Sequence, residues 1–218
     1  IGFSSQFNIY DTKDQQDLLK IVLSDRGVLR DYSSPKEVLR KISFFKNKFI
    51  FPNEAREQVK TQKDNKIIDI YEAYQHALQD NDALDFDDLI ILPLIIFQKY
   101  PKVLNAFREK WKYVLVDEYQ DTNIPQFKFV TSIAGKHKQI CVVGDDDQSI
   151  YGWRGAEVRN ILEFEKSFPD CKIFKLETNY RSTKEIIDAA TQVVQNNNLR
   201  KQKVLHADNG SGDKLGLF

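Results

Sequence analysis

Two short apolar runs that each end in carboxylates place the tightest limit on how these 218 residues fold. Tyr113-Val114-Leu115-Val116 runs into Asp117-Glu118, and Ile140-Cys141-Val142-Val143 runs into Gly144-Asp145-Asp146-Asp147-Gln148. An apolar run without alternation predicts a strand buried on both faces, the usual condition in a parallel sheet. A helix expected over about 125–134 lies between them and serves as the crossover. A helix over about 157–167 then leads to a third strand candidate, Ile173-Phe174-Lys175-Leu176, and another helix over about 183–195 precedes a loose tail at Gly210 to Gly212. Alternating strands and helices with short connections predict an α/β fold with a parallel sheet and right-handed crossovers.

The residues before Lys110 read as all-helical, which suggests a domain boundary there. Asp11 or Thr12 caps a helix carrying Leu18, Leu19, Val22 and Leu23 on one side and stopping near Gly27. Ser34-Pro35-Lys36-Glu37 combines a capping box with proline in the first helical position. Ile67, Ile70, Tyr71, Tyr74 and Leu78 recur at helical spacing over about 65–78. Asp85 caps a further helix, in which Pro93 is expected to make a kink.

Hydrophobic residues at 41% and aromatics at 12% supply a real core and exclude disordered and fibrous classes. The longest apolar stretch, 89–97, is nine residues and contains Pro93, against about 20 for a membrane-spanning helix. The N-terminus lacks the basic head and apolar core of a signal peptide, so a cytoplasmic address is expected. Cys141 and Cys171 have no CxxC spacing and His76, His137 and His206 are scattered, so neither a disulfide framework nor a zinc site is indicated. The chain has no methionine and reads as a piece of a longer protein.

The 32 basic and 32 acidic residues cancel, which argues against a simple electrostatic nucleic-acid binder. The charge is uneven, however. Nine basic and four acidic residues fall in 36–66, interleaved with Phe44, Phe45, Phe49 and Phe51, whereas 69–88 holds seven acidic residues and no Lys or Arg. Taken alone, each segment is a solvated helix face.

In an open parallel sheet, ligands bind beyond the carboxyl ends of the strands. Adjacent carboxylates there suit a magnesium-phosphate reaction, one holding the ion or its waters and the other orienting or deprotonating the attacking water. A helix cap or a solvated loop carries the same residues. Next along the chain, Tyr151-Gly152-Trp153-Arg154-Gly155 sets two large aromatics two residues apart beside an arginine. In extended backbone both rings face one way, as a platform on which bases stack, with Arg154 at a phosphate or on a base. Core packing is the competing role for both rings.

These residues carry a resemblance. Leu115-Val116-Asp117-Glu118-Tyr119-Gln120-Asp121-Thr122, the block from Val143 to Ala156, and Leu176-Glu177-Thr178-Asn179-Tyr180-Arg181-Ser182 resemble successive motifs of the UvrD/Rep/PcrA helicases of superfamily 1. Leu84-Asp85-Phe86-Asp87-Asp88-Leu89 resembles a fourth, weaker one. The resemblance implies a partial RecA-like P-loop NTPase sheet preceded by an all-helical insertion. Residues 1–111 would be the 1B-type insertion, 112–176 the later part of motor domain 1A, and 177–218 the start of 2A. It also implies ATP and Mg2+ as cofactors. Asp117 would bind the magnesium, Glu118 would activate water, and Gln148 would sense the γ-phosphate. Tyr180 would stack on adenine and Arg181 would reach the γ-phosphate. Phe86, Tyr151 and Trp153 would form base pockets, with Arg154 on the strand. The implied partners are single-stranded DNA and single-strand/duplex junctions, with 3′ to 5′ translocation. The 36–66 stretch would lie beside duplex phosphates.

The chain departs from the family pattern in one respect: it has no GxxxxGK(S/T) phosphate cradle, and its lone Gly-Lys pair, Gly135-Lys136, is followed by His137. The chain by itself is therefore expected to be inactive. A non-hydrolysing nucleic-acid-binding or scaffold module and a subunit of a helicase-nuclease are the alternatives.

Overall fold

The computed structural model describes residues 2–29, 34–58, 61–135 and 139–216, with 62–64 as backbone only. Lys60, the Lys63 side chain, Lys136 and His137, which figure in the sequence reading, lie outside the described residues.

Local capping starts the helices. Asp11 accepts from the N–H groups of Lys13 and Asp14 and opens α1 (Thr12–Asp25), while the Asp14 carboxylate accepts from Asp11 N–H to close a capping box. Helix α2 (Pro35–Asn47) starts with Pro35 behind Ser34, whose hydroxyl accepts from Glu37 N–H. Two further helices follow, α3 (Pro52–Gln58), which sequence periodicity did not mark, and α4 (Gln62–Asp80). Leu19 and Leu23 of α1, Val38 and Ile42 of α2, and Tyr71, Tyr74 and Leu78 of α4 form one buried core. The short strands β1 (Asn8–Ile9) and β2 (Ala83–Leu84) pair in parallel and tie the ends of this helical layer together.

Helix α5 (Asp88–Lys99) continues through Pro93, and α6 (Pro101–Lys110) leaves it at an angle of 111° across Tyr100. Among the described residues no single helix is long and apolar enough to cross a membrane. Both helices pack on α7 (Ile124–Ala134), where Phe97 stacks on Phe129 at 5.7 Å between ring centres and meets Phe107 at 5.6 Å. By packing, then, residues 88–110 side with the α/β part, a different division from one at Lys110.

Strands β3 (Val114–Val116) and β4 (Ile140–Val142) pair in parallel, Leu115 opposite Cys141, with α7 as the connection. Val114, Val116, Ile140 and Val142 face a second core built around Tyr119, Ala134, Phe164 and Phe168. Burial on both faces, expected from the unbroken apolar runs, is not found. Leu115 is 78% exposed and Cys141 is exposed, because no described element covers that face. The expected third strand at 173–176 is not formed either. Phe174 and Leu176 are exposed, and pairing begins only at β5 (Thr178–Asn179), which lies parallel to β6 (His206–Ala207). A strand needs a hydrogen-bonding neighbour, and 173–176 has none among the described residues. The helix expected over 157–167 is divided at Glu163 into α8 (Arg159–Leu162) and α9 (Phe164–Ser167). Helix α10 (Lys184–Val194) lies close to its expected span. The architecture is α/β with short parallel strand pairs behind an N-terminal helical layer.

Candidate functional site

The carboxyl ends of β3 and β4 lie side by side, so their acidic residues share one edge. Glu118 takes a left-handed conformation (φ 50°, ψ 40°), uncommon for a side chain of its size, which turns the chain sharply out of β3. Asp117 and Glu118 are both exposed, and Asp117 Oδ1 accepts from Glu118 N–H at 2.9 Å. Behind them Gln120 is buried. Its Nε2 donates to Glu118 Oε2 at 2.7 Å, and its Oε1 accepts from Asp145 N–H at 3.0 Å. Gly144 allows this approach, since a Cβ there would collide with Gln120 Oε1. The carboxamide thus bridges the two strand ends. Asp145 Oδ2 in turn accepts from Gln148 Nε2 at 2.8 Å, so Glu118, Gln120, Asp145 and Gln148 form one hydrogen-bonded row. Sequence reading singled out Glu118 and Gln148 and missed Gln120, whose partners lie 2 and 25 residues away.

Among the described residues no group of three or more His, Cys, Asp or Glu side chains could enclose a metal ion. Magnesium does not need such a cage, because one or two carboxylates with waters and phosphate oxygens complete its shell. The exposed Asp117 carboxylate fits that role. The Asp145–Asp147 run does not, because Lys203 contacts all three carboxylates and Arg200 pairs with Asp147 at 2.8 Å. Burial works to raise Asp145, but the Lys203 and Gln148 hydrogen bonds hold its carboxyl below the usual range. The second carboxylate-bearing strand end is therefore neutralised by protein, and only the first is open to an ion.

The aromatic segment is arranged differently from the extended form expected. Gly152–Arg154 is a 3-10 turn, and it brings Tyr151 and Trp153 to 6.5 Å between ring centres at 50°. The Arg154 guanidinium lies over both rings, 4.6 Å from Trp153 and 5.4 Å from Tyr151. Trp153 is 76% exposed, so it is not a core residue here. Gly155 closes the turn at φ +89°, and a Cβ there would come within 2.9 Å of Asn47 Cβ.

Asn47 is a second junction that sequence reading missed. Its Nδ2 donates to Ser43 O at 2.8 Å and reaches Asp87 Oδ1 at 3.5 Å, while its Oδ1 accepts from Asn123 Nδ2 at the start of α7. The turn carrying Trp153, the loop carrying Phe86 and the helical layer thus meet at one side chain. Phe86 is exposed, held between Asp85 and Asp87. Lys46, wholly buried one position earlier, pairs with Asp85 at 2.6 Å and Asp88 at 2.8 Å, and Tyr74 Oη donates to Asp85. Asp85 also accepts from Asp88 N–H at 2.9 Å, although the N-cap position of α5 is Asp87, which makes no side-chain cap bond.

Tyr180 and Arg181 follow β5 with exposed side chains, and no described hydrogen bond or ion pair engages either side chain. Asn179 Oδ1 accepts from Arg181 and Ser182 N–H, which fixes the backbone of the turn. No described hydrogen bond or ion pair joins these two side chains to Glu118 or Gln148.

Residues 1–169 match the UvrD/REP helicase N-terminal domain, and 174–218 match the UvrD-like helicase C-terminal domain. Over all 218 residues the chain is 43% identical to the ATP-dependent DNA helicase PcrA of Staphylococcus aureus (strain Mu50) and 42% identical to that of Staphylococcus epidermidis (strain RP62A). It spans 30% of the length of each. With family models matching nearly its whole length, the chain belongs to the UvrD/REP helicase family.

Proposed function

We propose that this chain is part of an ATP-dependent DNA helicase and supplies the water-activating carboxylate, the γ-phosphate sensor and an aromatic DNA face. One observation carries the reading: buried Gln120 ties Glu118 to Asp145, and Asp145 holds Gln148. A catalytic base and a phosphate sensor joined in this way respond to the nucleotide together. Glu118 orients and deprotonates the attacking water, with Gln120 Nε2 fixing its carboxylate. Asp117 would hold Mg2+, which would supply charge to neutralise the phosphates. Tyr180 would stack on adenine and Arg181 would reach the γ-phosphate, both from the turn after β5.

On the DNA side, exposed Trp153, Tyr151 and Phe86 offer rings to successive bases and Arg154 lies on the strand. The partners are single-stranded DNA and its junctions with duplex, the direction is 3′ to 5′, and the setting is cytoplasmic. We assign 112–176 to the first motor domain, 177–218 to the second, and the helical layer to the insertion. The packing on α7 favours counting α5 and α6 with the motor. Having no GxxxxGK(S/T) run, the 218 residues alone are expected to lack ATPase activity.

The test is Glu118→Gln in the full-length protein. It keeps the Gln120 contact but removes the basic oxygen, so DNA-stimulated turnover falls by about 100-fold or more with ATP binding retained. Normal turnover would reject the assignment. A full-length wild-type protein with no ATPase would point to a non-hydrolysing nucleic-acid-binding module instead.

A further inference from the structure

The tract Arg200-Lys201-Gln202-Lys203 lies across the acidic run at the end of β4. Lys203 Nζ contacts Asp145 directly and sits 3.3 Å from Asp147 and 3.9 Å from Asp146. Arg200 pairs with Asp147, and Lys201 N–H donates to Asp146 at 2.8 Å. These contacts are partly shielded from water: the Lys203 side chain is 17% exposed, that of Asp147 5% and that of Asp145 28%. An ion pair so placed is screened little by salt and holds its geometry better than a surface pair.

Asp145 is the centre of the cluster. One carboxylate oxygen takes Lys203 and Asp147 N–H, and the other takes Gln148 Nε2. Its own N–H goes to Gln120, which holds Glu118. Lys203 is equally well anchored at its other end. Val204 N–H donates to Glu177 Oε1, His206 N–H donates to Glu177 O, and β6 pairs with the strand that leads into Tyr180 and Arg181. A displacement of the β5–β6 unit therefore moves Lys203, and Lys203 bears directly on the carboxylate that orients Gln148.

We propose that Lys203 is a positioning residue, which sets the Gln148 carboxamide through Asp145 and so transmits the position of the Tyr180–Arg181 segment to the γ-phosphate sensor. This rests on the reading of Gln148 given above. Lys203 touches neither nucleotide nor DNA in this scheme. Its loss leaves the half-buried Asp145 without the cation on its Oδ1, so that other donors compete for the carboxylate and Gln148 is less firmly set.

The experiment uses full-length protein with Lys203→Met, Lys203→Arg, Gln148→Ala and the Lys203→Met/Gln148→Ala double variant. The readouts are DNA-stimulated kcat, KM for ATP, single-stranded DNA affinity without nucleotide, and melting temperature. Lys203→Met is expected to lower DNA-stimulated kcat about tenfold, with KM and DNA affinity within about twofold, and Lys203→Arg to restore it. The double variant is expected to be no worse than Gln148→Ala alone, since both changes act on one group. If Lys203→Met fails to fold, Lys203→Gln, which keeps a donor without the charge, is judged by the same criteria. Unchanged kcat in Lys203→Met beside a defective Gln148→Ala overturns the proposal and leaves the Gln148 reading standing. A parallel fall in kcat, DNA affinity and melting temperature makes Lys203 a structural clamp and also overturns it. Normal DNA stimulation in Gln148→Ala rejects the sensor reading and the proposal with it.

Discussion

Replacing Lys46 by methionine removes a buried cation while keeping most of its volume. In the folded chain Lys46 is 1% exposed, its Nζ lies 2.6 Å from Asp85 and 2.8 Å from Asp88, and it sits 5.6 Å from the centre of the Tyr74 ring. Two buried carboxylates then have no cation, and stranded charge of this kind costs about 3 to 5 kcal/mol at neutral pH. The pH dependence identifies the cause. Burial already pushes Asp88 up to about 6 even with Lys46 beside it, so without the lysine at least one of the two carboxylates is protonated at higher pH than in the unfolded chain. A folded-state carboxyl raised above its unfolded value binds the extra proton in the folded state. Stability therefore rises as pH falls through the folded value and levels off below the unfolded one. One proton taken up between pH 7 and pH 5 returns up to about 2.7 kcal/mol to the variant. The wild type shows the same trend less steeply. Lys46 itself is held above its usual value by Asp85 and Asp88 against the effect of burial, so it stays charged throughout this window and adds no slope. Urea unfolding followed by circular dichroism at pH 5, 6, 7 and 8 measures the difference between the two proteins. A loss under about 1 kcal/mol at pH 7, or a loss that grows as pH falls, would refute the reasoning.

Trp153→Ala in the full-length protein should weaken single-stranded DNA binding by about 1 to 3 kcal/mol with little dependence on sequence. Because the ring is exposed, the melting temperature should hardly move; a large drop in melting temperature with normal DNA affinity would reject the platform. Gly155→Ala should cost about 1 to 2 kcal/mol in a denaturation experiment from its left-handed backbone, with a further loss from contact with Asn47. Gly152→Ala, which meets nothing within 4 Å, should stay within about 0.5 kcal/mol of wild type. Asp11→Ala should cost about 1 kcal/mol, seen as a lower urea midpoint, because the N–H groups of Lys13 and Asp14 lose their acceptor.

The features legible in the sequence were those decided within a few residues. Asp11 and Ser34 open their helices by bonding to N–H groups two or three positions on, so each cap is written in a four-residue window. The parallel pair β3 and β4, and the carboxylates at its edge, were legible because an apolar run followed by acidic residues needs little long-range context. The candidate residues Glu118 and Trp153 stood out from local pattern, whereas the role expected of Gln148 came from the family resemblance. Tertiary contacts decided the rest. Gln120, Asn47 and Lys203 act on partners 25, 76 and 58 residues away, and no local pattern distinguishes them from ordinary polar residues. The Tyr151–Trp153 segment is a 3-10 turn and not extended, with Gly155 closing it against Asn47. Residues 173–176 have strand composition and no strand, because a strand is a relation between two segments and pairing starts only at Thr178. Composition sets what a segment can become, whereas hydrogen-bonding neighbours and buried charge partners select among those forms, and the folded chain alone brings them together.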